Sequence, residues 1–197
     1  MATNPNNQPQ RMTNEDKLIF IHVPKTAGRS MARALMVPPD HTPLAERLDK
    51  DSHHIAAGAK IATLIRNPWS RAVSCFCHFG LFQKYKTVNI IDGFRLWAGQ
   101  GFPHDWQLAR CPRARLLHQE DWIESTRPLD YIGHYEDLEG SLRDMAALAE
   151  IEVLPLPHLN KRRFERPKWR DFWTPELVNK SMKAFGDFAE RYGYEKP

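Results

Sequence analysis

Long apolar runs are missing from this chain. No stretch approaches the ~20 residues that a membrane-spanning helix needs. The N-terminus, MATNPNNQPQRMTNED, lacks the apolar segment of a secretory signal. A soluble, cytoplasmic protein without a membrane span is the expectation. Residues 1–16 read as a disordered tail and 17–197 as one domain. Cysteine is scarce as well. Cys75, Cys77 and Cys111 are the only three, an odd number with no framework spacing, which argues against a disulfide-stapled fold. They carry no nearby histidine ligand pattern, so a zinc site is a poor reading and no metal is called for. Internal repeats are absent, and so is the G-x-x-x-x-G-K-[ST] loop of the common nucleoside triphosphatases. No nucleic-acid motif or aromatic-interleaved basic stripe is present, which disfavours a nucleic-acid partner.

What is present suffices for a packed core. Of 197 residues, 42% are hydrophobic, with 10 Phe and 6 Trp, and 26% are charged. The net charge of +4 suits an anionic ligand without selecting one.

Two short, nearly continuous apolar runs, KLIFIHV (17–23) and KIATLI (60–65), read as strands buried on both faces of a parallel sheet. DYIGHY (130–135) is a third candidate. Helices are expected over 30–36, over 68–83 behind Asn67-Pro68, over 136–149, and from Thr174-Pro175-Glu176 onward, where an apolar stripe runs through Val178, Met182, Phe185, Ala189 and Tyr192. Residues 37–59 read as polar and proline-punctuated, and 84–128 give weak signals. Strands alternating with helices predict an α/β fold with a mostly parallel central sheet flanked by helices. In such sheets ligands bind at the carboxyl ends of the strands.

Both trusted strands end in chemically rich segments. The first is Pro24-Lys25-Thr26-Ala27-Gly28-Arg29-Ser30. A strand–loop–helix junction offers free backbone N–H groups to an anion. Gly28 allows close approach, Lys25 brings a mobile charge, and Thr26 and Ser30 bring hydroxyls. An ordinary turn with a solvated lysine fits the same residues. The second is Arg66-Asn67-Pro68-Trp69-Ser70-Arg71-Ala72-Val73-Ser74. Arg66 at a strand end can fork onto a phosphate. Ser74, about two turns into the next helix, returns to the same side.

IHVPKTAGRS resembles the 5'-phosphosulfate loop of sulfotransferases that use 3'-phosphoadenosine-5'-phosphosulfate (PAPS), especially the carbohydrate-sulfotransferase branch. RNPWSRAVS is similar to the 3'-phosphate segment of that family. Looser likeness continues through DYIGHYEDLEGSL, LPHLNKRRF and WRDFWTPELV. The resemblance implies a P-loop-like phosphate site made of Lys25, Thr26, Ala27, Gly28, Arg29 and Ser30 with Arg66 and Ser74. It implies PAPS as donor, 3',5'-ADP as product, and a hydroxyl-bearing acceptor, a glycan or a glycosylated small molecule by analogy. Lys161 and Arg162 are expected either to close over the nucleotide or to remain a solvated basic loop. Arg29 departs from the family's small hydroxyl residue. It either supplies a charged donor or points away.

The acceptor hydroxyl needs a base, and histidine suits neutral pH. Nine histidines are present. His54 is the expected base because HIAAG resembles the family's histidine-bearing stretch before the central strand, with adjacent His53 as the competitor. The expected function is sulfuryl transfer, with Lys25 and His54 catalytic. The rival is an inactive nucleotide-binding module on the same scaffold.

Overall fold

The computed structural model describes residues 14–85, 87–103, 117–159 and 167–197. Three strands, β1 (Leu18–Ile21), β2 (Lys60–Ile65) and β3 (Tyr131–His134), form a parallel sheet in the order β1-β2-β3. Leu18 pairs with Lys60 and Ile21 with Thr63; Ala62 pairs with Tyr131 and Ile65 with His134. The fold is α/β, a three-stranded parallel sheet flanked by helices.

Nine α-helices occur among the described residues. They are α1 (Gly28–Ala34), α2 (Leu44–Lys50), α3 (Ser52–Ala56), α4 (Pro68–His78), α5 (Leu81–Lys84), α6 (Ile90–Gly99), α7 (Glu120–Ile123), α8 (Leu138–Ala149) and α9 (Pro175–Arg191).

The apolar runs are continuous because both sheet faces are covered. Side chains alternate across a strand. Leu18, Phe20, Ala62 and Leu64 pack with Met31 and Leu35 of α1 and Leu142 and Met145 of α8. Ile19, Ile21 and Ile61 face the other way, onto Leu44 of α2. A separate aromatic core joins α4, α6 and α9 through Trp69, Phe76, Phe94, Trp97, Phe172 and Phe185. Trp69 Nε1 donates to Ser181 Oγ and Trp97 Nε1 to Pro103 O, each at 2.8 Å. Those bonds offset the cost of burying a polar N–H.

Helix starts follow the expected chemistry. The Asn67 side chain accepts from Ser70 N, Asp137 from Gly140 N and Thr174 from Leu177 N, with Pro68 and Pro175 in the first turns. The helix expected over 68–83 breaks in two, because Gly80 adopts φ 68 and ends the right-handed run. The disordered tail expected over 1–16 gives up its last three residues. Asn14–Asp16 form a 3-10 turn, and Asn14 Nδ2 donates to Leu35 O (2.7 Å) and Glu152 O (3.0 Å). Residues 1–13 lie outside the described residues. The segment 37–59 holds α2 and α3, which the sequence pattern does not reveal. An ionic knot fixes them: Asp40 Oδ2 takes Arg47 Nη1 (2.9 Å) and Lys50 Nζ (2.7 Å), and Arg47 Nε also pairs with Asp51.

Candidate functional site

The turns that follow β1, β2 and β3 meet at the carboxyl edge of the sheet. A cleft opens there in two lobes that share Arg66, Ser74 and Cys77. One lobe, about 400 Å³, is walled by Lys25, Ala27 and Ser30, by Tyr135 and Leu138, and by Leu156–Leu159. The other, about 340 Å³, is walled by Ser70, Val73 and Lys168, Trp169, Arg170. Residues from both expected segments therefore line one cavity: Lys25, Ala27 and Ser30 from the first, Arg66 and Ser74 from the second.

The turn after β2 is tightly tethered. Gln119, almost fully buried, accepts from Arg66 N (2.9 Å) and donates to Arg66 O (2.7 Å). Glu136 accepts from Asn67 N at 2.9 Å. The Arg66 guanidinium is buried, donates to Ser70 Oγ from Nε and Nη2 (3.0 and 2.7 Å), donates to Lys25 O from Nη1 (3.2 Å), and lies 3.9 Å from the Tyr135 ring centroid. It thus bridges the two turns while presenting one edge to the cleft. Tyr194 closes the back of this turn. Its hydroxyl donates to Glu136 (3.3 Å), and burial together with that carboxylate pushes its pKa far up.

The turn after β1 is built differently. Lys25 and Ala27 adopt left-handed backbone, φ 69 and 64, which costs a non-glycine residue on the order of 1 kcal/mol or more each. Arg71 of α4, 1% exposed, helps hold the strained turn by donating from Nε to Pro24 O at 2.8 Å. The Thr26 hydroxyl turns inward and donates to Val23 O (2.8 Å), so it braces the loop rather than facing the cleft. Gly28 packs flat on the His22 ring, and any β-carbon there would collide with the imidazole. That contact is why glycine is needed at 28. Arg29 is exposed and is not part of the cleft wall. Ala27 and Ser30, three apart, share the cleft face, while Arg29 is rotated away from both. Lys161 and Arg162 lie outside the described residues, as does Cys111.

His54 does not join this group. It sits on α3, which leads into the amino end of β2, and its Nδ1 is 3.1 Å from Asp16 Oδ1, just ahead of β1. Lys25 and Arg66 lie at the opposite ends of those strands, roughly 15 Å away along a six-residue strand. His53 stacks on His54 at the same edge, 3.8 Å between centroids. Neither can take a proton at the cleft.

A different histidine is at the carboxyl edge. His41 stacks on His22 with centroids 3.9 Å apart, and its Nδ1 lies 3.3 Å from His22 O. A carbonyl only accepts, so Nδ1 carries the proton and Nε2 keeps its lone pair. Burial, with the nearby charge of Arg29, lowers the pKa of His41 despite Asp40 and the carbonyl contact. His22 is 3% exposed. Burial, His41 and Arg29 lower its pKa to about 3. Both imidazoles stay neutral at pH 7.

Comparison with family models, curated proteins and solved structures returned no match to this chain.

Proposed function

We propose that this chain is a PAPS-dependent sulfotransferase. The observation that carries the reading is the convergence of Lys25, Ala27 and Ser30 with Arg66 and Ser74 in one cleft at the carboxyl edge of a parallel sheet. The two segments lie 41 residues apart, measured from Lys25 to Arg66, and the Arg66–Lys25 hydrogen bond couples them. Two separated phosphate-binding elements suit a ligand with two separated phosphates, and PAPS is one. Its phosphosulfate would lie on the turn after β1. Its 3'-phosphate would lie by Arg66 and Ser74, with Lys168 and Arg170 at the outer lobe.

The chemistry balances with the residues present. The acceptor oxygen forms a bond to sulfur as the bond from sulfur to the bridging phosphate oxygen breaks. That electron pair leaves with 3',5'-ADP. Lys25 neutralises the charge growing on the bridging oxygen, which stabilises the transition state more than the bound donor. The hydroxyl proton goes to a neutral imidazole. His41 takes the role expected of His54, since its contacts with His22 put it at the carboxyl end of β1, the end that carries Lys25.

The test is a screen of hydroxyl acceptors with sulfur-labelled PAPS, run with Lys25→Ala as control. Transfer of label that the variant loses supports the reading. Tight 3',5'-ADP binding with no transfer to any acceptor would leave the inactive module, and absence of both would end the proposal.

A further inference from the structure

The two lobes of the cleft are lined differently. Lys25, Ala27 and Ser30 border the lobe of about 400 Å³ and not the other, whereas Lys168 and Arg170 border only the other. With the phosphosulfate on the turn after β1, the reacting sulfur stands in the first lobe, and the acceptor hydroxyl must reach it there. Lys25 and Arg66 of that lobe serve the donor. No carboxylate or carboxamide lines it among the described residues. A sugar taken out of water needs a hydrogen-bond partner for each hydroxyl it buries, and such partners are few here. The lobe offers apolar side chains instead: Leu138 at the start of α8, and Leu156, Pro157 and Leu159 of the segment that follows that helix.

That segment, Leu154-Pro155-Leu156-Pro157-His158-Leu159, is stiff. Its two prolines fix φ. Leu154 N donates to Ala34 O at 2.8 Å and Leu159 N to Pro157 O at 3.0 Å. Leu156 also packs on the core shared by α1 and α8. Leu159 nevertheless remains 39% exposed at the lobe. A wall that is already ordered loses little freedom when a ligand covers it.

We propose, resting on the sulfotransferase reading, that the acceptor carries an apolar aryl or alkyl group next to its reacting hydroxyl, and that Leu138, Leu156, Pro157 and Leu159 hold that group. An unsubstituted sugar would leave this wall in water. An aglycone laid on it removes apolar surface from water on both sides and keeps the neighbouring hydroxyl in the lobe that Lys25 borders.

The experiment uses matched ligands on the full chain. Phenyl β-glucoside and hexyl β-glucoside are each compared with methyl β-glucoside, by calorimetry with and without saturating 3',5'-ADP. At least one of the apolar glucosides should bind about tenfold or more tightly than the methyl compound, the scale of about two buried methylene groups. Which one responds distinguishes an aryl from an alkyl group. Leu159→Ser should lower that preference about threefold or more, and Leu159→Met should keep it. Leu154, 47% exposed on the same segment, does not line the lobe, so Leu154→Ser should also keep it. The affinity for 3',5'-ADP should be the same in all of them. No preference in the wild type, a preference untouched by Leu159→Ser, or one lost equally in Leu154→Ser would each overturn the proposal. So would a loss of 3',5'-ADP affinity in Leu159→Ser, which would give the wall to the nucleotide. If 3',5'-ADP binds to none of the proteins, the sulfotransferase reading fails instead, and the glucosides measured without nucleotide still report on the wall.

Discussion

The turns after β1 and β2 stand side by side and are built on opposite plans. The turn after β2 is tied down at nearly every polar group: Gln119 clamps the Arg66 backbone, Glu136 holds Asn67 N, and Ser70 and Lys25 O hold the guanidinium. The turn after β1 holds two left-handed non-glycine residues, a glycine pressed on a ring, and a cation at its outer edge. A rigid, satisfied turn suits holding a phosphate that does not react. A strained turn beside neutral imidazoles suits the bonds that change. Under the proposed function, binding would fall to one turn and chemistry to the other.

The sharpest way to break that division is to delete the charge on the reactive side. Lys25→Ala should lower kcat by about 10² or more, the scale for loss of one transition-state donor, with 3',5'-ADP affinity little changed. A rise in KM for PAPS alone would move Lys25 to the binding side. His41→Ala should lower kcat by about 10²–10⁴. Because the pKa of His41 is lowered, the acidic limb of the wild-type rate profile should fall below pH 6.5, and the variant should lose it. His54→Ala should change turnover less than twofold.

Next in size is the deletion on the binding side. Arg66→Ala should weaken 3',5'-ADP binding about 10- to 100-fold, as expected for a charged donor, and Ser74→Ala by tenfold or less. Arg66→Lys keeps the charge but loses the fork to Ser70, so calorimetry on it should fall between the two.

The contrast between these histidines shows what the sequence made legible. A residue a few positions ahead of a parallel strand lies at the strand's amino edge, whereas ligands bind at the carboxyl edge. That rule alone disfavours His54. The family-like HIAAG string pointed the other way. His41 was hidden because its position depends on α2 and α3 carrying the chain back across the sheet. Those helices are short and follow Pro38, Pro39 and Pro43; Leu44, Leu48 and Ile55 pack them on the sheet but are too few to read as a stripe, and the Asp40–Arg47–Lys50 knot ties them further. The strands were readable because their burial on both faces leaves an unbroken apolar run, and KIATLI matches β2 residue for residue. Helix α9 was readable from Thr174, Pro175 and its stripe. Gln119 could not be found, since a lone glutamine 53 residues from its partner leaves no local signal. The inward turn of Thr26 was equally silent, because a hydroxyl in a loop looks the same whichever way it faces.

Smaller effects sharpen the account of the strained turn. Gly28→Ala must displace the His22 ring, and overpacking of this kind costs about 1–3 kcal/mol, measurable as a lower denaturation midpoint. His22 also makes stability depend on pH. Its folded pKa is about 3 against 6.5 unfolded, so between those values the unfolded chain binds a proton that the folded one does not. Stability therefore falls on acidification from pH 6.5 toward 3, by up to about 1.4 kcal/mol per pH unit from this group. Asp40 acts lower. Burial raises its pKa, but hydrogen bonds from Lys50 and Thr42 and the charge of Arg47 outweigh that and hold it near 2, against 3.8 unfolded. Its contribution is therefore lost only below about pH 3.8. Urea titrations of wild type and His22→Gln at pH 7.0 and 5.0 should show a shallower loss in the variant. Equal losses would remove His22 as the source.

The most direct test of the central claim compares 3',5'-ADP with 5'-AMP by calorimetry on the wild-type chain. A phosphate held at Arg66 and Ser74 in addition to one on the Lys25 turn predicts that 3',5'-ADP binds at least about tenfold more tightly, and that Arg66→Ala brings the two ligands to similar affinities. Equal affinity of the wild-type chain for both nucleotides would contradict the account.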